Sequence, residues 1–296
     1  MSSRITNKSY GNHASRLPSV MFPLQELLSS LDTEKLSSLA RESRVTALNM
    51  AGRSKSSHIG SSLSCIDILC LLYSIKKHLK ESGREANFEI VCSKGHAAMA
   101  VYSVLSQLHE LGESEVFNFC KNGSQLYGHV NHLSHPWVPL STGSLGHGFP
   151  FSIGMALAMK NLNLEGHVFV LLSDGELDEG TTWESALIAP AKDIRNLTVI
   201  IDYNKIQSFG RVEEVIPLEP LRDKWEAFGW KVREVDGNSI QQLQSELART
   251  QGSEVLILHT TKGKGVSFME DSLDWHYKSP DATELARAVK ELDFKL

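Results

Sequence analysis

The sequence has few cysteines, no surplus of basic residues and no long apolar run. Its four cysteines, Cys65, Cys70, Cys92 and Cys120, form no C-x-x-C pair. That spacing argues against zinc-binding and dithiol-redox motifs and fits a reduced, cytoplasmic chain. Lys and Arg total 30 against 35 Asp and Glu, a formal net charge of -5, so nothing drives sequence-independent binding to nucleic acid. No stretch approaches the roughly 18–20 apolar residues that span a bilayer, and no membrane association is expected. The first twenty residues are polar and lack the apolar core of a secretory signal; residues 1–22 read as an N-terminal tail. Repeats and low-complexity tracts are also missing. What is present is 296 residues, 41% hydrophobic and 22% charged, the profile of an ordinary globular enzyme. That length allows one large domain or two small ones, and a complete enzyme or part of one.

The first half reads mainly as helix. Over residues 33–54, Leu36, Leu39, Ala40, Val45 and Leu48 recur at three- and four-residue spacings. Asp32 is the expected N-cap, with Lys35 in place of a capping-box acid. A second helical pattern covers 64–79, a short strand Phe88–Cys92, and a helix 97–111. From Gly143 the pattern alternates. A Gly-rich turn at 143–148 opens a helix to about 161; strands at 167–172, 197–201, 230–235 and 255–258 are separated by helices at 178–192, 219–229 and 239–250. Continuous apolar strands separated by helices predict an α/β fold, a parallel sheet flanked by helices on both faces. Ligands gather beyond the carboxyl ends of such strands, which directs attention to the residues after Cys92, Leu172, Ile201 and Leu258.

Two of those strand ends carry matching chemistry. The strand at 167–172 leads into Ser173-Asp174-Gly175-Glu176, and the strand at 197–201 into Asp202-Tyr203-Asn204-Lys205-Ile206. A carboxylate offers a hard oxygen to a divalent cation, and the following glycine lets backbone N–H groups approach a diphosphate. Asn204 lies 30 residues after Asp174, about one strand–helix–strand unit, so both oxygens converge at one sheet edge. Each alone is also an ordinary turn residue. Together they point to a metal–diphosphate site.

Asp-Gly at one strand end and Asn at the next resembles the thiamine-diphosphate signature, and the surrounding segments resemble transketolase. These are Ser57-His58-Ile59-Gly60, Ser93-Lys94-Gly95-His96-Ala97, Ser141-Thr142-Gly143-Ser144-Leu145-Gly146, Glu176-Leu177-Asp178-Glu179-Gly180, Trp183-Glu184-Ser185-Ala186, Asp202-Tyr203-Asn204-Lys205-Ile206-Gln207, Lys262-Gly263-Lys264-Gly265-Val266-Ser267-Phe268 and Trp275-His276. The resemblance runs from about 40 to 280 and implies a thiamine diphosphate-binding fold over 23–280, with 281–296 as a C-terminal helix or tail. It implies Mg²⁺ (or Ca²⁺ or Mn²⁺) on the side chains of Asp174 and Asn204 and the carbonyl of Ile206. Gly175 would give its amide to the diphosphate, with Glu176 beside it. His58, His96 and His276 would line the cofactor and substrate, and His129 would face substrate. Gly143, Ser144 and Leu145 would hold the aminopyrimidine, and Glu179 would join a carboxylate network where two subunits meet.

The other histidines, His13, His78, His109, His132, His135, His147, His167 and His259, read as surface or core residues, and Cys65 and Cys70 as packing. Lys262 and Lys264 read either as exposed turn residues or as part of a flexible lid. Departures from the family pattern are Ser173 for Gly, His147 for Gln, Ile59 for Pro, and Val130-Asn131 after His129.

In this family the glutamate that activates the cofactor belongs to a second domain, and no second sheet of comparable size follows His276. The resemblance therefore implies the amino-terminal subunit of a split transketolase. It would move a two-carbon ketol unit from a ketose, phosphorylated or nucleotide-linked, to an aldose. A C-terminal partner subunit would carry the activating glutamate, and the assembly would be a heterotetramer of two pairs. Two alternatives stay open: a subunit of a 2-oxoacid dehydrogenase or decarboxylase, and a noncatalytic cofactor-binding subunit. A dinucleotide binder is disfavoured because no G-x-G-x-x-G follows the early strand.

Overall fold

The computed structural model describes residues 24–83 and 87–293; the tail expected at 1–22 lies outside them. Helices α1 (Leu24–Ser29), α2 (Thr33–Ser54), α3 (Ile59–Ser64) and α4 (Ile66–Glu81) precede strand β1 (Phe88–Cys92), and α5 (Ala98–Gln107) and α6 (Glu113–Phe117) follow it. The alternating half then runs α7 (Gly148–Asn161), β2 (His167–Ser173), α8 (Gly180–Ala191), β3 (Leu197–Tyr203), α9 (Val212–Val215), α10 (Leu221–Ala227), β4 (Lys231–Asp236), α11 (Ile240–Ala248), β5 (Glu254–His259) and α12 (Ala282–Asp293).

Among the described residues the strands form one sheet, ordered β1-β2-β3-β5-β4, with every pairing parallel. Central strands β2 and β3 are buried at every position, whereas edge strand β4 mixes buried and exposed positions. That is the difference expected between a strand covered on both faces and one at an edge. One apolar core joins α1, α2, α4, α5 and α11 to one face of the sheet; the other joins α7, α8 and α10 to the opposite face.

Asp32 caps α2 as expected, its carboxylate accepting from the amides of Glu34 and Lys35 at 2.9 and 3.2 Å. Elsewhere the boundaries shift. The helix expected from 178 starts at Gly180, because residues 175–178 form a tight single turn first. The separate helix α3 was not anticipated: six residues are too few to show a period. No described helix is long and apolar enough to cross a membrane.

Candidate functional site

Parallel strands place their carboxyl ends on one edge of the sheet, and there the chemistry collects. Ser93 follows β1, Asp174 follows β2, Asn204 follows β3, and Thr260 follows β5. Ser173 and Asp202 are paired in the β2–β3 register, so Asp174 and Asn204 leave the sheet side by side.

Four histidines from separate segments meet above this edge. The ring of His58 lies 5.4 Å from His96, 5.6 Å from His129 and 4.8 Å from His276, centroid to centroid. His58 precedes α3 with φ 72°, a left-handed conformation uncommon outside glycine and typical of residues held by their surroundings. Its backbone N–H donates to the carbonyl of His276 at 2.7 Å, which ties the two segments together. His96 sits in the single turn Gly95–Ala97. Gly95 has no room for a side chain: a Cβ there would fall 2.3 Å from the Thr142 carbonyl oxygen. That close approach lets Val130 donate to Gly95 and Thr142 donate to Val130, which sets His129 at the rim. Burial lowers all four imidazoles, His58 to about 4 and His276 to about 3, with neighbouring histidine and lysine charges adding to the effect at His58, His96 and His276. They are neutral near pH 7, each with one donor and one acceptor nitrogen.

Below the histidines lies a set of oxygens. Asp174 accepts from the amides of Gly175 and Lys205, both at 2.8 Å. Burial, then the charge of Asp202, raises its carboxyl to about 6. Asn204 Oδ1 accepts from the Ile206 amide at 3.1 Å. The Ile206 carbonyl accepts from the ammonium of Lys262 at 2.9 Å. Among the described residues no group of three or more His, Cys, Asp or Glu is arranged to hold a metal alone. A carboxylate, an amide oxygen and a backbone carbonyl are instead the hard, sparse protein set that suits Mg²⁺ sharing its shell with phosphate and water.

The turn at 143–146 packs on this centre. A Cβ on Gly143 would lie 3.5 Å from His129 Cδ2. Glu176 is fully buried beneath the turn, and one carboxylate oxygen accepts from the Gly146 amide at 2.9 Å and from the Ser93 hydroxyl. Burial raises it to about 7, against the pull of those hydrogen bonds. Its other oxygen, Oε2, is buried with no hydrogen-bond partner among the described residues. Ser144 is exposed, Leu145 is half-buried, and Glu179 is exposed just ahead of α8.

The reading of Lys262 as an exposed turn residue is corrected. It is buried, and its ammonium reaches Ser61 Oγ, the Ile206 carbonyl and His276 Nδ1 at 3.1, 2.9 and 3.1 Å. Burial lowers it to about 8. Lys264 is half-buried. Sequence reasoning also missed the roles of Lys94 and Asp202, a fully buried ion pair beneath the site. The hint was available: Lys94 sits at a strand end beside His96. The loop of Lys262 is clamped from behind. Arg44 forms a two-point pair with buried Asp67 and donates to the Lys264 carbonyl, while Asn238 bridges Asp67 and the Thr261 amide. His167 is buried at the far end of β2, with Nε2 2.8 Å from Thr198 Oγ1, and is structural as expected. His132 bonds Ser141 at the surface. Cys65, Cys70 and Cys92 are buried free thiols and Cys120 is exposed.

Known proteins resemble this chain over most of its length. The family model described as transketolase, thiamine diphosphate binding domain, matches residues 36–295. One of the subunits of the apulose-4-phosphate transketolase of Phocaeicola vulgatus is 34% identical over 272 residues, covering 90% of this chain and 96% of the relative. The 6-deoxy-6-sulfo-D-fructose transketolase subunit SqwG of a Clostridium species is 35% identical over 256 residues, covering 84% and 93%. The solved transketolase of Campylobacter jejuni superposes with a TM-score of 0.80 at 25% identity, covering 89% of this chain. This chain spans only 43% of that solved chain.

Proposed function

The chain belongs to the transketolase family, in its thiamine diphosphate-binding domain, and from that premise we propose that it is the amino-terminal subunit of a heteromeric transketolase. The reaction is transfer of a two-carbon ketol unit from a ketose bearing an anionic group to an aldose. The observation that carries the proposal is the convergence of four histidines at the sheet edge where adjacent strands β2 and β3 lead into Asp174 and Asn204. The names of relatives that are subunits and cover nearly their full length at this size support the division.

The residues present fit a diphosphate cofactor with a divalent cation. Asp174, Asn204 and the Ile206 carbonyl would take the cation, and the Gly175 amide, Lys262, His58, His96 and His276 would meet the diphosphate and its neighbours. The Gly143-Ser144-Leu145 segment would hold the pyrimidine ring. When bound, thiamine diphosphate supplies the carbanion chemistry that breaks and makes the carbon–carbon bond beside a carbonyl. The protein's part is orientation. Neutral imidazoles at His58, His96, His129 and His276 would orient the sugar's hydroxyl groups, each ring offering one donor and one acceptor nitrogen. His58 Nδ1 is buried without a hydrogen-bond partner among the described residues, a polar atom suited to a ligand group. A second subunit would supply the activating glutamate, meeting this chain near Glu179, in an assembly of two pairs in the cytoplasm.

The test is an assay of the chain assembled with its partner, given a ketose phosphate with an aldose, and separately a 2-oxoacid. Ketol transfer supports the proposal. Decarboxylation of the 2-oxoacid as the main reaction supports the dehydrogenase or decarboxylase reading instead.

A further inference from the structure

Asp202 is fully buried at the end of β3 and is not among the oxygens proposed above for the cation. Its carboxylate gathers donors from four segments around the site. Oδ2 accepts from Ser64 Oγ of α3 at 2.7 Å, from Asn204 Nδ2 at 3.2 Å and from the ammonium of Lys94, which follows β1. Oδ1 accepts from Thr260 Oγ1, which follows β5. Ser64, Lys94 and Thr260 all donate to this carboxylate, which thus acts as an acceptor throughout, and the atom of Asn204 that faces it is the NH₂ group. The Ile206 amide, donating to Asn204 Oδ1 at 3.1 Å, enforces the same orientation from the other side.

We infer that Asp202 is a positioning residue for Asn204: its carboxylate fixes the side-chain amide so that the oxygen, not the nitrogen, is presented at the strand end. A reversed amide would set two oxygens against each other at Asp202 and offer a cation only N–H groups. The inference rests on Asn204 being a metal ligand, as proposed above.

The experiment follows Mn²⁺ binding by electron paramagnetic resonance, using the full chain assembled with its partner and saturated with thiamine diphosphate. Asp202→Asn should weaken Mn²⁺ binding by about ten-fold or more, the usual range for loss of a group that orients a metal ligand. The exchange Asp202→Asn with Asn204→Asp should restore it to within about three-fold, because a carboxylate has two equivalent oxygens and needs no orienting. Ser64→Ala removes another donor to the same oxygen and should lower the melting temperature while leaving Mn²⁺ affinity unchanged. If Asp202→Asn does not fold, the exchanged pair is measured by itself. Wild-type affinity in Asp202→Asn, or an exchanged pair that binds about ten-fold or more weaker than wild type, overturns the inference and leaves Asp202 as a structural partner of Lys94, Ser64 and Thr260. Absence of Mn²⁺ binding in the wild-type assembly overturns the reading of the metal site itself, and this inference with it.

Discussion

The buried ammonium of Lys262 lies 3.1 Å from Nδ1 of His276. Lysine is a donor only, so Nδ1 must accept, and the proton of the neutral ring resides on Nε2. Burial chiefly, and then the charge of Lys262, lowers His276 to about 3. Lys262→Met should therefore raise the pKa of His276 while leaving it below its ordinary value, read from the ring proton shifts in an NMR titration. The same variant should weaken cofactor binding about ten- to a hundred-fold, the worth of one hydrogen bond to a charged group. An unchanged His276 titration would show that the two side chains are not coupled.

Asp174→Ala should abolish cofactor retention without unfolding the chain. The carboxylate accepts two backbone amides, whose loss costs about 2 kcal/mol, or roughly 5 °C in melting temperature for a domain of this size. Cofactor affinity, measured by fluorescence titration of the assembled complex, should fall out of range. Affinity equal to wild type would remove Asp174 from the site.

Arg44→Met should be among the most destabilising single changes. It strips the partner from buried Asp67, and a buried pair broken on one side costs about 3–5 kcal/mol. Urea denaturation monitors the loss. Because Arg44 also holds the Lys264 carbonyl at 3.2 Å, surviving protein should bind cofactor more weakly. A change below about 1 kcal/mol would mean that the pair is solvated.

His167 predicts an acid sensitivity that is separate from catalysis. In the unfolded chain its imidazole titrates near 6.5, and in the fold burial lowers it to about 3. Below pH 6.5 the unfolded chain takes up a proton that the fold refuses. The contribution is therefore intact above 6.5 and is lost as pH falls toward 3, at up to about 1.4 kcal/mol per pH unit. Between pH 7 and 5 the cofactor-free wild type should lose about 2 kcal/mol more stability than His167→Asn. Parallel stability–pH curves for the two proteins would contradict the buried, neutral assignment.

The parallel sheet was legible because its strands are continuous apolar runs, and the site because ligands collect at their carboxyl ends. Short α3 left no period to detect, and the strand order β1-β2-β3-β5-β4 is set by helix packing that no single window contains. The strand-end spacing singled out Asp174 and Asn204, whereas the histidines came to notice only through the resemblance of their flanking segments to the family's. Lys262 and Lys94 were not, because lysine in a Gly-rich or turn segment ordinarily points to water. Only the folded chain brings Asp202 beneath Lys94, and Ser61, Ile206 and His276 around Lys262. Glu176 was grouped with the cofactor because it follows Gly175; the fold turns it under Gly146, beside the segment expected to hold the aminopyrimidine.

The proposed division of one active site between this chain and a second subunit is tested most directly by ketol transfer. The rate is measured at matched protein concentration for the chain alone and for the chain with a carboxyl-terminal transketolase-like partner, both supplied with thiamine diphosphate and Mg²⁺. Turnover confined to the mixture is the predicted result. Full-rate transfer by this chain alone would contradict it.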